Sequence, residues 1–368
     1  MLIFLLSCTA NNVIVEKEEL TEQTEASQET EDTDTNTEPE DIEDTEEGQP
    51  SQPEDTEDTE DTEEPEEHFL VRFIAMGDGG EGNDDQYQNA DAVKTICDAK
   101  TDTVEGCFFA LYLGDNFYDA GVESVQDPQF QDKFELPYAN LDFPFYVALG
   151  NHDYGGCLFG ECGIGWDFDL SEYQIEYTNY STKWRMPSEY YTFVEEHVQF
   201  FALDTNAIMW EPWLGTAGNQ PNWLATEVSN STATWKIAYG HHPYISNGRH
   251  GNAGAYEGLD FLADLSIAEV PIGTAVKEFM DDHICGQIDM YICGHDHNRQ
   301  WLEPTCGTEF VVSGAAAKTT DLENRGMATF FEDDTAEGFI WIEIYDNCLK
   351  GEFYDKYANL NFSHQVCK

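Results

Sequence analysis

The sequence predicts a mixed α/β domain with two packed sheets over residues 68–368. Two observations predict it. Early segments alternate an apolar, β-branched run with a helix-forming one, whereas late segments are short extended runs separated by turns. Five short blocks of Gly, Asp, Asn and His each follow an apolar run, as residues at the carboxyl ends of buried strands do.

Phe69 to Ala75 reads as the first strand, Gln86 to Cys97 as a helix, and Cys107 to Leu113 as a strand running into Gly114-Asp115. Phe143 to Leu149 is a strand before Gly150-Asn151. Tyr190 to Val194 and Val198 to Leu203 read as an antiparallel pair, followed by a helix from about Pro221 to Asn230. Trp235 to Tyr239 is a strand before Gly240-His241, Gly273 to His283 a helix, and Ile288 to Cys293 a strand before Gly294-His295. Glu309 to Ser313, Ala328 to Phe331, Gly338 to Tyr345 and Leu349 to Tyr354 complete the strands. Aromatic and β-branched residues favour extended chain in these runs, and Gly, Asp, Asn or Pro punctuates them.

Upstream, residues 16 to 67 are dominated by Glu, Asp, Thr, Gln and Pro. Such a stretch buries too little apolar surface to offset the entropy of ordering, so residues 9–67 are expected to be a disordered acidic linker. Its like charges extend it into a tether whose contour approaches roughly 200 Å. The formal net charge of -58 comes from 74 Asp and Glu against 16 Lys and Arg. A surface that acidic repels nucleic acid and anionic lipid, which excludes nucleic acid as a structural partner. It also suits high ionic strength.

Met1 to Cys8 reads MLIFLLSC, a short apolar run ending in Leu-Ser-Cys. It resembles the lipobox of bacterial lipoproteins, although no Lys or Arg precedes the run. The resemblance implies a signal peptide over residues 1–8, lipid on Cys8, and a membrane-anchored protein at the cell surface or in the periplasm. An ordinary export signal would instead give a secreted protein. Nine further cysteines suit an oxidising compartment, with close spacings pairing Cys97 with Cys107, Cys157 with Cys162, Cys285 with Cys306 and Cys348 with Cys367. Cys293 is left as a buried thiol, and no Cys-x-x-Cys spacing suggests a zinc-thiolate site.

The five blocks are Gly77-Asp78-Gly79, Gly114-Asp115-Asn116-Phe117-Tyr118, Gly150-Asn151-His152-Asp153, Gly240-His241-His242-Pro243 and Gly294-His295-Asp296-His297. Singly, each can be a turn or a cap; together, in this order and after strands, they point to a metal site. Cleaving a phosphate ester requires neutralising phosphoryl charge and making a strong nucleophile near neutral pH, and two cations about 3.5 to 4 Å apart do both. Holding them that close needs a bridging anion, for which the two oxygens of Asp115 qualify. Carboxylate, imidazole, amide oxygen and phenolate are suitable hard or borderline donors for the rest.

These blocks resemble the metallophosphoesterases, and Tyr118, three residues after Asp115, resembles the purple acid phosphatases among them, especially the small tartrate-resistant type. The likeness runs from about Phe73 to Tyr354 and includes Leu203-Asp204-Thr205 and Trp223-Leu224. It implies a four-layer αββα sandwich with two central mixed sheets. It further implies a ferric ion on Asp78, Tyr118 and His297, and a divalent ion (iron, zinc or manganese) on Asn151, His241 and His295, with Asp115 bridging. His152 and His250 match the family histidines that contact substrate. The implied activity is that of a phosphoric monoester hydrolase, an acid phosphatase acting as a monomer through a metal-bound hydroxide, with one His protonating the leaving alkoxide.

The chain departs from the small type in two places. Gly79 stands where a Trp is usual, and His242 where Tyr is common. Residues 155 to 165, carrying Cys157 and Cys162, look like an insertion beside the site that shapes substrate choice. A phosphodiesterase or nucleotidase with two divalent metals, in which Tyr118 is only a neighbour, is the alternative within the superfamily. A binding protein without turnover is disfavoured because His152 and His250 are both present. The remaining His68, His197, His283 and His364 read as surface or packing residues.

Overall fold

The computed structural model describes residues 68–158, 161–258, 269–323 and 325–368. The expected signal segment 1–8 with Cys8 and the linker 9–67 lie outside the described residues.

In chain order the strands are β1 (Leu70–Met76), β2 (Phe109–Leu113), β3 (Phe145–Ala148), β4 (Cys157–Leu158), β5 (Glu161–Cys162), β6 (Trp184–Arg185), β7 (Tyr191–Glu195) and β8 (Val198–Ala202). They continue as β9 (Trp235–Tyr239), β10 (Met290–Cys293), β11 (Arg299–Leu302), β12 (Glu309–Ser313), β13 (Thr329–Asp333), β14 (Gly338–Tyr345), β15 (Cys348–Asp355) and β16 (Leu360–Cys367). The α-helices are α1 (Asp84–Lys100), α2 (Ser171–Tyr177), α3 (Thr205–Leu214), α4 (Gln220–Asn230) and α5 (Thr274–His283).

Two seven-stranded mixed sheets result, ordered β16-β15-β14-β1-β2-β3-β6 and β13-β11-β12-β10-β9-β8-β7, and β4-β5 forms a hairpin. In the first, β1, β2, β3 and β6 run parallel while β14, β15 and β16 extend it antiparallel. In the second, β8, β9, β10 and β12 are parallel, and antiparallel strands close both edges. Central parallel strands are covered on both faces, which is why β2 and β10 are apolar throughout and β1 is apolar but for Arg72, whose guanidinium pairs with Asp102 and Glu343.

The period of two along the second sheet sorts its residues. Phe200, Ile237, Tyr239, Met290 and Ile292 join the core shared with the first sheet, whereas Phe201, Ala238, Tyr291 and Cys293 join a second core with helical Leu224, Val276, Phe279 and Met280. Phe73 and Phe109 of the first sheet meet Phe200 edge-on at 5.3 and 5.2 Å between centroids, so the two sheets pack face to face. Ala90, Val93 and Ile96 of α1 pack on the first sheet. Helix, sheet, sheet and helices thus stack in the layer order the family resemblance implies.

Helix α1 starts where Asn83 accepts a hydrogen bond from the Gln86 amide at 2.9 Å, and α3 where Asp204 accepts from the Ala207 amide at 2.8 Å. The four expected cysteine pairs are bonded, and Cys293 is free and buried. Among the described residues no helix is long and apolar enough to cross a membrane.

Candidate metal centre

Five parallel strands deliver the candidate ligands. Asp78 follows β1, Asp115 and Tyr118 follow β2, Asn151 and His152 follow β3, His241 follows β9, and His295 and His297 follow β10. The loops tie to one another: the Asp78 amide donates to Gly114 O at 3.0 Å, and the Gly294 amide to His241 O at 3.1 Å. Asp78, Asp115 and His295 all hold positive φ, at 60°, 52° and 69°. Each chain therefore turns sharply at the residue after its strand-end glycine, sending the side chain back over the sheet edge.

Two clusters form. Asp78, Asp115 and His297 offer donor atoms within 4.8 Å of one another, as do Asp115, His241 and His295, so Asp115 belongs to both. The Tyr118 hydroxyl lies 2.9 Å from Asp78 Oδ1, 2.9 Å from Asp115 Oδ2 and 3.3 Å from His297 Nε2, inside the first cluster. Asn151 Oδ1 lies 3.1 Å from His241 Nε2, inside the second. Only one oxygen of Asp115, Oδ2, faces both clusters, because Oδ1 accepts the His152 amide at 2.9 Å.

The donor chemistry fits cations. His241 Nδ1 meets the Leu113 carbonyl at 3.0 Å; a carbonyl only accepts, so Nδ1 carries the hydrogen and Nε2 presents a lone pair. That lone pair faces Asn151 Oδ1, His295 Nδ1 at 3.0 Å and Asp115 Oδ2 at 3.3 Å. Asn151 Nδ2 donates to Gly163 O at 2.6 Å, so its carbonyl oxygen is the atom turned inward. With His241 Nε2 deprotonated, lone pairs from buried groups face one another and repel, and a shared cation would relieve this in place of the proton.

Burial opposes ionisation of Asp115, but His241 and His152 beside it outweigh that and hold its carboxyl well below the usual range. Burial would lower His241; the Asp115 carboxylate overcomes it and raises the imidazole to about 9. His295, buried beside His250, His242, His241 and His297, falls well below an ordinary histidine. Burial and then the charges of Asp115 and Asp78 push the Tyr118 phenol well above 10. Burial and the carboxylates thus hold the proton on Tyr118, and Asp115 holds one on His241; a metal ion bound there would displace both.

His152 and His250 flank the clusters. His152 Nδ1 donates to Asp119 O at 2.6 Å, leaving Nε2 4.0 Å from Asp115 Oδ2, and its ring lies 4.4 Å from that of Tyr118. The His250 ring lies 4.2 Å from that of His295, tilted by 34°, and its Nδ1–H donates to the Glu257 carboxylate. His242 belongs to neither cluster: it is fully buried with Nδ1 2.9 Å from Thr205 Oγ1. At Gly79 a Cβ would come within 2.4 Å of the Tyr112 hydroxyl and 2.7 Å of that of Tyr138, so two tyrosines fill the space a larger residue would need. Of the remaining histidines, His68 pairs with Asp346, His197 packs on Phe69, His283 on Phe279 and His364 on Trp301.

Sequence reasoning missed several supporting residues. Asp153 accepts from the Asn116 amide and Nδ2, the Gly150 amide and Gln174 Nε2, binding the second and third loops together. Asp296 accepts the His250 amide at 2.7 Å. Glu257 orients His250, and Lys318 sits against Tyr118. The carboxylates lie within or near the blocks, so their positions were signals; nothing marks Glu257 or Lys318 in sequence.

The fold and the blocks place the chain in a known family: it belongs to the calcineurin-like phosphoesterases, which match residues 71–299. Within that family it is similar to the purple acid phosphatases. It is 27% identical over 304 residues to tartrate-resistant acid phosphatase type 5 of Rattus norvegicus, covering 74% of this chain and 83% of the relative. To purple acid phosphatase 3 of Arabidopsis thaliana it is 27% identical over 306 residues, covering 79% and 76%. Among solved structures, the purple acid phosphatase PPD1 from yellow lupin shares the fold with TM-score 0.57, 16% identity and coverage of 81% of this chain and 54% of that one. GAP50, the anchor in the inner membrane complex of Plasmodium, does so with TM-score 0.60, 21% identity and coverage of 81% and 89%.

Proposed function

We propose that this chain is an acid phosphatase that hydrolyses phosphate monoesters at a binuclear Fe(III)–M(II) centre, M being iron, zinc or manganese. The observation that carries the reading is the Tyr118 hydroxyl, 2.9 Å from both Asp78 and Asp115. A phenol placed there would serve as a ferric ligand; Asp78 and His297 would hold the ion on that side, Asn151, His241 and His295 would hold the other, and Asp115 would be shared by the two. Bound there, the two ions would neutralise phosphoryl charge and make water nucleophilic near neutral pH.

The remaining work falls to the protein. Asn151, fixed through Gly163, orients its side of the site. His152, its Nδ1 hydrogen committed to Asp119 O, presents Nε2 to phosphoryl oxygen. His250, with Nδ1 committed to Glu257, keeps Nε2 for handing a proton to the leaving alkoxide, help worth about 10² to 10⁴ in rate. A phosphodiesterase with two divalent ions would leave the phenol without a role.

Export is part of the reading. The Met1 to Cys8 segment supports a lipid anchor or secretion, and four disulfides among the described residues support an oxidising compartment. Residues 9–67 would then tether a catalytic domain spanning 68–368, acting as a monomer.

The test is the visible spectrum of iron-supplemented protein together with p-nitrophenyl phosphate turnover, for the parent and Tyr118→Phe. Turnover with a visible band that the substitution abolishes is expected. Turnover without any band would move the protein to the all-divalent phosphoesterases.

A further inference from the structure

The Tyr118 ring carries an ammonium group. Lys318 Nζ, from the loop after β12, lies 3.2 Å from the ring centroid, and its counter-ion Glu81, from the loop after β1, is 2.7 Å away. Lys133 Nζ meanwhile donates to the Tyr118 carbonyl. In a chain with 16 Lys and Arg against 74 acidic residues, two of the few cations meet at one tyrosine. The Lys318 side chain is 29% exposed, so water screens its field only in part.

A cation over an aromatic face is attracted by the π electrons even when the ring is neutral. For a phenolate the attraction is that of opposite charges, and it acts on the orbitals from which electron density is donated to a metal. We propose that Lys318 tunes the tyrosinate that Tyr118 presents to iron; the proposal rests on the ferric reading above. Its charge lowers the filled phenolate orbitals, so moving an electron from phenolate to ferric iron takes more energy. Glu81 offsets part of that field. A lysine that only packs there would leave the transition energy alone.

The experiment compares the visible absorption maximum of iron-loaded parent, Lys318→Met, Lys318→Arg and Glu81→Gln. Lys318→Met is expected to move the band to longer wavelength by some tens of nanometres and Lys318→Arg to restore it towards the parent position. Glu81→Gln, which strengthens the net positive field, is expected to move it to shorter wavelength. A maximum unchanged in Lys318→Met overturns the proposal. If that variant does not fold, Glu81→Gln decides: an unmoved or red-shifted band overturns it equally. A parent without a band fails the ferric reading itself, whereas a coloured parent with unmoved variants fails only the tuning role.

Discussion

Asp153 shows how much of the centre depends on a residue that touches no candidate ion. Its buried carboxylate binds the Gly150 amide at 2.8 Å, the Asn116 amide at 2.9 Å and Gln174 Nε2 at 2.9 Å, fixing the loops that carry Asp115 and Asn151. Each donor left without a partner costs about 1 to 3 kcal/mol, so Asp153→Ala should lower unfolding free energy by at least about 2 kcal/mol, read by chemical denaturation. An unchanged midpoint would mean that water replaces the carboxylate. At this scale the sequence was legible wherever a residue's type and its place after a strand bring it into a cluster, as for Asp78, Asp115, His241 and His297. It was illegible where the partner comes from elsewhere in the chain. Gln174 reaches Asp153 from 21 positions away and Lys318 reaches Glu81 from 237, and neither lies in a patterned segment. Which Asp115 oxygen faces the clusters was equally hidden, because it depends on the backbone turn that brings the His152 amide to Oδ1.

Elements with a strong apolar pattern were readable to within a few residues: β1, β2, β9, β10, β12 and β14 follow the expected runs. Those missed are the ones whose pattern is polar or interrupted. Strand β11 contains Arg299, buried because Asp333 pairs with it at 2.6 Å. Strand β16 is an edge strand with alternate residues exposed, and α3 contains Pro212 near its end. The segment after β4–β5 packs on the site, since a Cβ at Gly163, whose φ is +79°, would lie 2.2 Å from His152 Nδ1. The β14–β15–β16 extension supplies its own pH dependence. On β15, burial would raise Glu352, but hydrogen bonds from Lys100, Lys350 and Tyr354 outweigh it and lower the carboxyl to about 2. An unfolded Glu titrates near 4.3, so the folded state binds fewer protons between these values. The stabilisation is therefore complete above about pH 4.3 and lost as pH falls towards 2. Thermal melts of Glu352→Gln should be less stable than the parent at pH 6, with the gap closing as pH drops through that window; a constant gap would contradict the assignment.

For the whole molecule, two sheets of similar layout set their carboxyl ends at one edge, so candidate ligands far apart in sequence converge: the His295 amide donates to Asp78 Oδ2 at 2.9 Å across 217 positions. That convergence was predictable only through the order of the five blocks, since no local pattern reveals which strands become neighbours. The charge of -58 leaves cations scarce, which gives the few near the site, Lys133 and Lys318, unusual weight in its electrostatics. Asp115 Oδ2 faces both clusters, so one carboxylate oxygen is proposed to join two metal sites in one chain. Elemental analysis of the purified, metal-loaded protein checks this. Two metal ions per chain, at least one of them iron, are the predicted result, with Asp115→Ala failing to retain the pair; an active parent that holds a single ion per chain would contradict it.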